Sequence, residues 1–169
     1  EELLAHNLSM QKLHRLQRSR QAPAMAPGGA AENEFLQRLP FTLTGAQHRV
    51  AQEIGADLQQ IRPMLRLVHG DVGSGKTVIA ALAALQAADN GYQTAITAPT
   101  EILAEQHFRV FSTWLQPLGI RPVWLSGKVT GKSRTGALHR ISTGAELVIG
   151  THALMQKGVE FNRLGLVIV

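Results

Sequence analysis

The octapeptide Gly70-Asp71-Val72-Gly73-Ser74-Gly75-Lys76-Thr77 fits the pattern G-x-x-x-x-G-K-[ST] without a mismatch. Each position has a chemical reason. Gly73 and Gly75 let the backbone turn tightly, so that successive N–H groups point inward and surround a phosphate where a helix begins. A Cβ there would obstruct the approach. Lys76 is placed to reach the β- and γ-phosphates as a point charge, and the Thr77 hydroxyl to take one position on a Mg²⁺ ion. All eight residues are therefore candidates for binding a nucleoside triphosphate, with Lys76 and Thr77 as catalytic candidates and Thr77 as the metal ligand.

Such a loop works only between a strand that delivers it and a helix that it opens. The sequence "MLRLVH" before it reads as a buried strand, and Lys76 to Asp89 as a helix ended by Gly91. Downstream, "TAITA" reads as a strand, Ile102 to Leu115 as a helix, "PVWL" as a strand and Lys132 to Ile141 as a helix. "LVIGT" and "LGLVIV" read as the last two strands. This alternation, with Val/Ile/Leu-rich strands, predicts an α/β fold: a parallel sheet flanked by helices. Upstream, residues 1–20 carry Leu4, Leu8 and Leu16 on one helical stripe, with Lys12, Arg15, Arg18 and Arg20 toward the end, and read as an amphipathic connecting helix. Residues 21–33 are rich in Ala, Pro and Gly and read as a flexible linker, with the globular domain at 34–169.

Three further segments carry candidate functions. In "LPFTLTGAQ", Thr44 and Gln47 form an S/T-x-x-E/Q capping box opening a helix that runs to Gln60. In "APTEILAEQH", Thr100 is an N-cap for an amphipathic helix. In "VIGTHALMQ", Gly150, Thr151 and His152 end a strand on the side of a parallel sheet where ligands bind.

Together with "EELLAHNLS", "GDVGSGKT" and "PLGI" followed by "WLSGK", these segments make the chain resemble the bacterial RecG-type branched-DNA helicases of superfamily 2. The transcription-repair coupling translocases share the phosphate loop and "GTH", while "EELLAHNLS" favours the RecG type. The resemblance implies a RecA-like domain that uses ATP and Mg²⁺ to remodel replication forks and Holliday junctions in recombination and repair. It implies that Gln47 reads the adenine edge and Phe41 stacks on the ring. It further implies that Pro99, Thr100, Glu101, Lys128, Gly150, Thr151 and His152 contact single-stranded or branched DNA. By the same resemblance, "LGLVIV" is a Walker B strand cut before its acidic pair, so that the 169 residues are expected to hold phosphate but to be inactive alone. Two other classes remain open on the residues themselves. One is a stand-alone P-loop nucleotide kinase or other ATPase, and the other a non-enzymatic module with a structural P-loop.

Composition is consistent with this. A net charge of +5 and a pI near 10.2 favour polyanionic partners. Arg121, Lys132, Arg134 and Arg140 could line a DNA path with Lys128, or form a solvated helix face. The absence of cysteine excludes disulfides and thiolate metal sites, and the seven histidines show no metal-ligand spacing. No apolar run is long enough for a membrane span, and a cytoplasmic, monomeric protein is expected.

Overall fold

The computed structural model describes residues 21–169, so the helix expected over 1–20 lies outside the described residues. The elements are α1 (Ala30–Arg38), α2 (Gly45–Leu58), α3 (Lys76–Asp89), β1 (Gln93–Thr97), α4 (Glu101–Leu115), β2 (Val123–Leu125), α5 (Gly131–Ser142), β3 (Leu147–Gly150) and β4 (Leu164–Ile168). Short 3-10 turns at Gln116–Leu118 and His152–Met155 follow α4 and β3.

The four strands form one sheet in the order β2-β3-β1-β4, and every pairing is parallel. Strand period places alternate residues on opposite faces. Ile96, Leu147, Ile149 and Leu166 enter a core with α1 to α4, whereas Ala95, Val148, Val123 and Leu125 enter a second core with Ile141 of α5 and the turn at Ala153–Leu154. Helices therefore cover both faces, as the alternation of elements predicts.

The centre of the larger core is α3. Its sequence KTVIAALAALQAAD is apolar on nearly every side, and residues Val78, Ile79 and Ala81 through Ala87 are all buried. The alanines keep it thin enough to pack against α1, α2, β1 and β4 at once. It stops at Gly91, φ +71°, where the Gly91 N–H donates to Ala88 O and the Tyr92 N–H to Ala87 O. This paired closure needs a left-handed residue, which glycine supplies without a Cβ penalty.

Two expectations are corrected. The segment 21–33 is packed rather than loose: Met25 is 1% exposed, its N–H donates to Leu58 O, the Ala22 N–H donates to Ile61 O, and α1 already begins at Ala30. The Gln86 amide, buried in α3, donates to Met25 O and Gly55 O and ties the segment to α2 and α3. The apolar run "MLRLVH" is not a sheet strand. It has no strand assignment, Leu65 and Leu67 are 81% and 88% exposed, and a cavity of about 980 Å³ lies between this segment and β4. The segment is held to α2 instead. Arg66 donates from Nε to Asp57 Oδ2 at 2.8 Å and from a terminal nitrogen to Glu53 Oε2 at 2.7 Å, a fork that fixes the run along the helix while β4 keeps only β1 as a partner.

Candidate nucleotide and nucleic-acid site

The loop 70–75 enters α3 at Gly75, whose φ of +83° puts it in the left-handed region, as does the +81° of Gly73. At Gly73 an added Cβ would meet nothing within 4 Å, so the cradle is open there. At Gly75 it would fall 2.2 Å from Gln47 Nε2, so glycine is required on both conformational and steric grounds. The loop carries its own scaffolding. The Ser74 N–H donates to Asp71 O, and the Lys76 ammonium donates to Gly70 O at 2.7 Å and Asp71 O at 2.8 Å. Lys76 therefore spans the loop, with its charge satisfied by carbonyl oxygens of the kind it would exchange for phosphate oxygens. Val72, at the tip, is fully exposed.

Gln47 joins this loop to α2. Its Oε1 accepts from the Thr44 N–H at 2.8 Å, its own N–H donates to Thr44 Oγ1, and its Nε2 donates to Ser74 O at 2.9 Å. The capping box is present. The side-chain amide reaches beyond it and grips the phosphate loop 27 residues away. One amide hydrogen and one oxygen lone pair remain for a ligand. Phe41 is 44% exposed, in the segment leading into α2.

The other candidates gather at the carboxyl edge of the sheet, where ligand sites of open α/β sheets form. Pro99, Thr100 and Glu101 follow β1, Lys128 follows β2, and Gly150, Thr151 and His152 lie at the end of β3. These strands are neighbours in the order β2-β3-β1, and the Ala98 N–H donates to Gly150 O, stitching two of the segments together. Lys76 and Thr77 line the large cavity together with Thr97 of β1 and Ile168 and Val169 at the end of β4, so the phosphate loop meets the same edge. Near Thr77, β4 brings only apolar side chains.

The residues differ in what they leave free. Thr100 accepts from the Leu103 N–H and starts α4, while remaining exposed. Thr151 is 3% exposed and its hydroxyl accepts from the Ala153 N–H, so its side chain serves the turn. Gly150 is demanded by packing, since a Cβ would lie 1.8 Å from Leu125 O. His152 is exposed. Of the remaining basic residues, Arg140 donates to Arg121 O and Arg134 donates to the Gln156 amide oxygen, which orders both on α5, whereas Lys132 is exposed.

One contact was not visible in the sequence. Glu101 and Lys128 form an ion pair, while the Lys128 backbone N–H donates to Ser126 Oγ. The Lys128 ammonium holds the Glu101 carboxyl below the usual carboxylate range, and Glu101 in turn pushes the Lys128 ammonium up. The two are far apart in the chain, so no spacing rule could have paired them before the β1 and β2 ends were known to adjoin the same β3.

Fold and loop together define a RecA-like P-loop domain. The DEAD/DEAH box helicase family matches residues 44–169, and the chain belongs to that family. It is 55% identical, over its whole length, to 24% of the ATP-dependent DNA helicase RecG of Haemophilus influenzae, and 56% identical to the corresponding 24% of the protein of that name from Pasteurella multocida. It thus spans about a quarter of the length of these relatives. A solved structure of RecG bound to a three-way DNA junction superposes with a TM-score of 0.90 and 41% identity, covering 98% of this chain and 23% of that one. A hypothetical ATP-dependent RNA helicase from Sulfolobus tokodaii, 18% identical with a TM-score of 0.55 over 77% of this chain and 37% of that one, shares the fold. Among the described residues no helix is long and apolar enough to cross a membrane, and no group of three or more His, Cys, Asp or Glu side chains is placed to hold a metal.

Proposed function

We propose that this chain is the nucleotide-binding part of the first motor domain of an ATP-driven, RecG-type helicase that remodels branched DNA in recombination and repair. The observation that carries the reading is the convergence of the phosphate loop with the segments after β1, β2 and β3 on one edge of the sheet. A nucleotide held at that loop lies on the same edge as the residues proposed to grip DNA, so a change at one is felt at the other.

The residues fit ATP and Mg²⁺ by an observation of their own. Gly73 leaves open space, Gly75 adopts a left-handed conformation, and the Lys76 ammonium is already presented to oxygen acceptors. Gly70 to Gly75 would surround the phosphates with backbone amides, Lys76 would neutralise the outer phosphates, and the Thr77 hydroxyl would hold the metal. Bound ATP supplies the phosphoryl group whose hydrolysis drives movement along DNA. Gln47 would orient the adenine with its remaining donor and acceptor while Phe41 stacks on the ring. Pro99, Thr100, Lys128, Gly150, Thr151 and His152 would hold a DNA strand largely through phosphates, Gly150 and Thr151 by main-chain groups because the Thr151 side chain is buried. The reading places the activity in the cytoplasm, in a monomer whose motor domain, expected over 34–169, also includes the packed segment 21–33.

The test is a thermal melt of the 169-residue chain with Mg²⁺ and millimolar ATP or ADP. Ligand at a hundredfold excess over Kd adds about 2.7 kcal/mol, so the wild-type midpoint rises and that of Lys76→Ala does not. Equal shifts in both proteins overturn the nucleotide assignment.

A further inference from the structure

The surface at the ends of β1 and β2 holds an exposed cation in check. Lys128 is 84% exposed in its side chain, as a phosphate-binding residue should be, yet its ammonium is paired with Glu101, whose side chain is 32% exposed. Glu101 is not free to leave. It is the first residue of α4, where the helix dipole favours a carboxylate and the helix backbone fixes its Cα. Ser126 is itself 2% exposed and accepts from the Lys128 N–H, which anchors the turn that carries Lys128. The carboxylate sits on a short stem at a helix start, while the ammonium, on a flexible four-carbon stem, can swing away. The next carboxylate along the helix, Glu105, is occupied by Arg109 at 2.6 Å.

Resting on the reading of this edge as a nucleic-acid surface, we propose that Glu101 is a built-in competitor for phosphate, a fixed anion that occupies Lys128 until a DNA phosphate displaces it. A site built this way binds a single stray phosphate poorly. It engages Lys128 only when neighbouring contacts, such as Thr100 and the Gly150–His152 turn, have already brought the strand alongside. The pair is solvent-exposed and weak, so the exchange is reversible and suits a motor that must release the strand at each step.

The experiment measures binding of fluorescein-labelled single-stranded and forked DNA to the 169-residue chain across a salt series. Glu101→Gln removes the charge and keeps the size and shape of the side chain. Glu101→Ser serves as a second variant that can start a helix, and circular dichroism checks the fold of each. Glu101→Gln is expected to tighten binding about two- to fivefold, the range of an exposed ion pair. It should also steepen the salt dependence by as much as about 0.7 in log–log slope on single strands, one phosphate's share. Lys128→Ala is expected to weaken binding and to abolish the effect of Glu101→Gln in the double variant. Glu105→Gln, which removes a carboxylate that acts on Lys128 only at longer range, is expected to tighten binding less than Glu101→Gln does. If Lys128→Ala weakens binding but both Glu101 variants leave it unchanged or weaker, the competitor role is overturned and the surface stands. Tightening that persists without Lys128, or that Glu105→Gln matches, also overturns it, as a general charge effect. If the wild-type chain binds neither DNA at low salt, the nucleic-acid reading falls and the competitor with it.

Discussion

Replacing Gln47 by alanine tests the joint between α2 and the phosphate loop. The substitution deletes the bond from the Thr44 N–H at 2.8 Å and the bond to Ser74 O at 2.9 Å, and it spares the bond from its own N–H to Thr44 Oγ1. Two hydrogen bonds of about 1 kcal/mol each, at a half-buried site where water replaces part of the loss, amount to about 1–2 kcal/mol. For a domain of this size that lowers the melting midpoint by about 2–8 °C. The substitution Gln47→Glu should cost more than the change to alanine, although it keeps the acceptor for Thr44, because it sets a carboxylate oxygen against the Ser74 carbonyl where an N–H stood. The assay is a melt of wild type, Gln47→Ala and Gln47→Glu, each with no ligand, ATP or GTP. The wild type should be raised more by ATP than by GTP, since the free amide hydrogen and lone pair match the N7 and N6 edge of adenine and not that of guanine. Gln47→Ala should lose that preference. If Gln47→Glu melts with the wild type, the loop tie has no energetic weight; if Gln47→Ala keeps the adenine preference, the residue is a capping group alone.

Met25→Ala should cost about 2–5 kcal/mol, as expected for truncating a fully buried side chain, and a denaturant melt will show it as a fall in midpoint; no change would restore the loose-linker reading of 21–33. Gly150→Ala should cost about 3 kcal/mol through overpacking, because β2 and β3 must part to admit the methyl group, and this is read in the same melt. Burial, with Asp89 nearby, raises the Glu32 carboxyl above its ordinary 4.5, so the folded state holds that proton more tightly and stability falls as pH rises from 4.5 through the raised value. Glu32→Gln should therefore stabilise the chain at neutral pH and lose that advantage below pH 4.5, and melts at both ends of the range check it.

Legibility in the sequence followed the range of the interactions involved. The span of α3 was readable to the residue because a lysine-threonine start, an unbroken apolar interior and Gly91 are all local signals. The strands after it were readable because they are short, apolar and bounded. By contrast, α1 was missed: AAENEFLQR carries only Phe35 and Leu36 as large apolar residues, and what makes it a helix is the seat of Phe35 in the core, 1% exposed, edge-on to Trp114 of α4. Packing likewise orders residues 21–29, where the Gln86 and Asn90 side chains of α3 and its cap reach far back along the chain to take up backbone groups of Met25 and Ala26. Composition reads such a stretch as a linker because its partners are far away in the chain. "MLRLVH" fails for the opposite reason. Its pattern is that of a buried strand, but a strand needs an edge to pair with, and Arg66 ties this run to Glu53 and Asp57 across a gap from β4.

The candidate site divides along the same line. The candidate phosphate loop is a contiguous motif written in adjacent residues, and Gly73 and Gly75 are both left-handed. The nucleic-acid candidates come from three separate loops, and their relation depends on β1, β2 and β3 lying side by side in an order different from the chain order. Once they do, roles that the residue types alone leave equivalent become distinct. Thr100 and Thr151 are both threonines after a strand, yet one is exposed on a helix start and the other is buried under its turn, so only the first can offer a hydroxyl to a phosphate. Glu101 and Lys128, separate surface charges in the sequence, become an ion pair. Because Thr100 caps the helix whose first residue is Glu101, a strand seated against Thr100, as proposed above, would arrive within a residue of the carboxylate it has to displace, and strand capture and the release of Lys128 would be coupled by the geometry of one helix N-terminus.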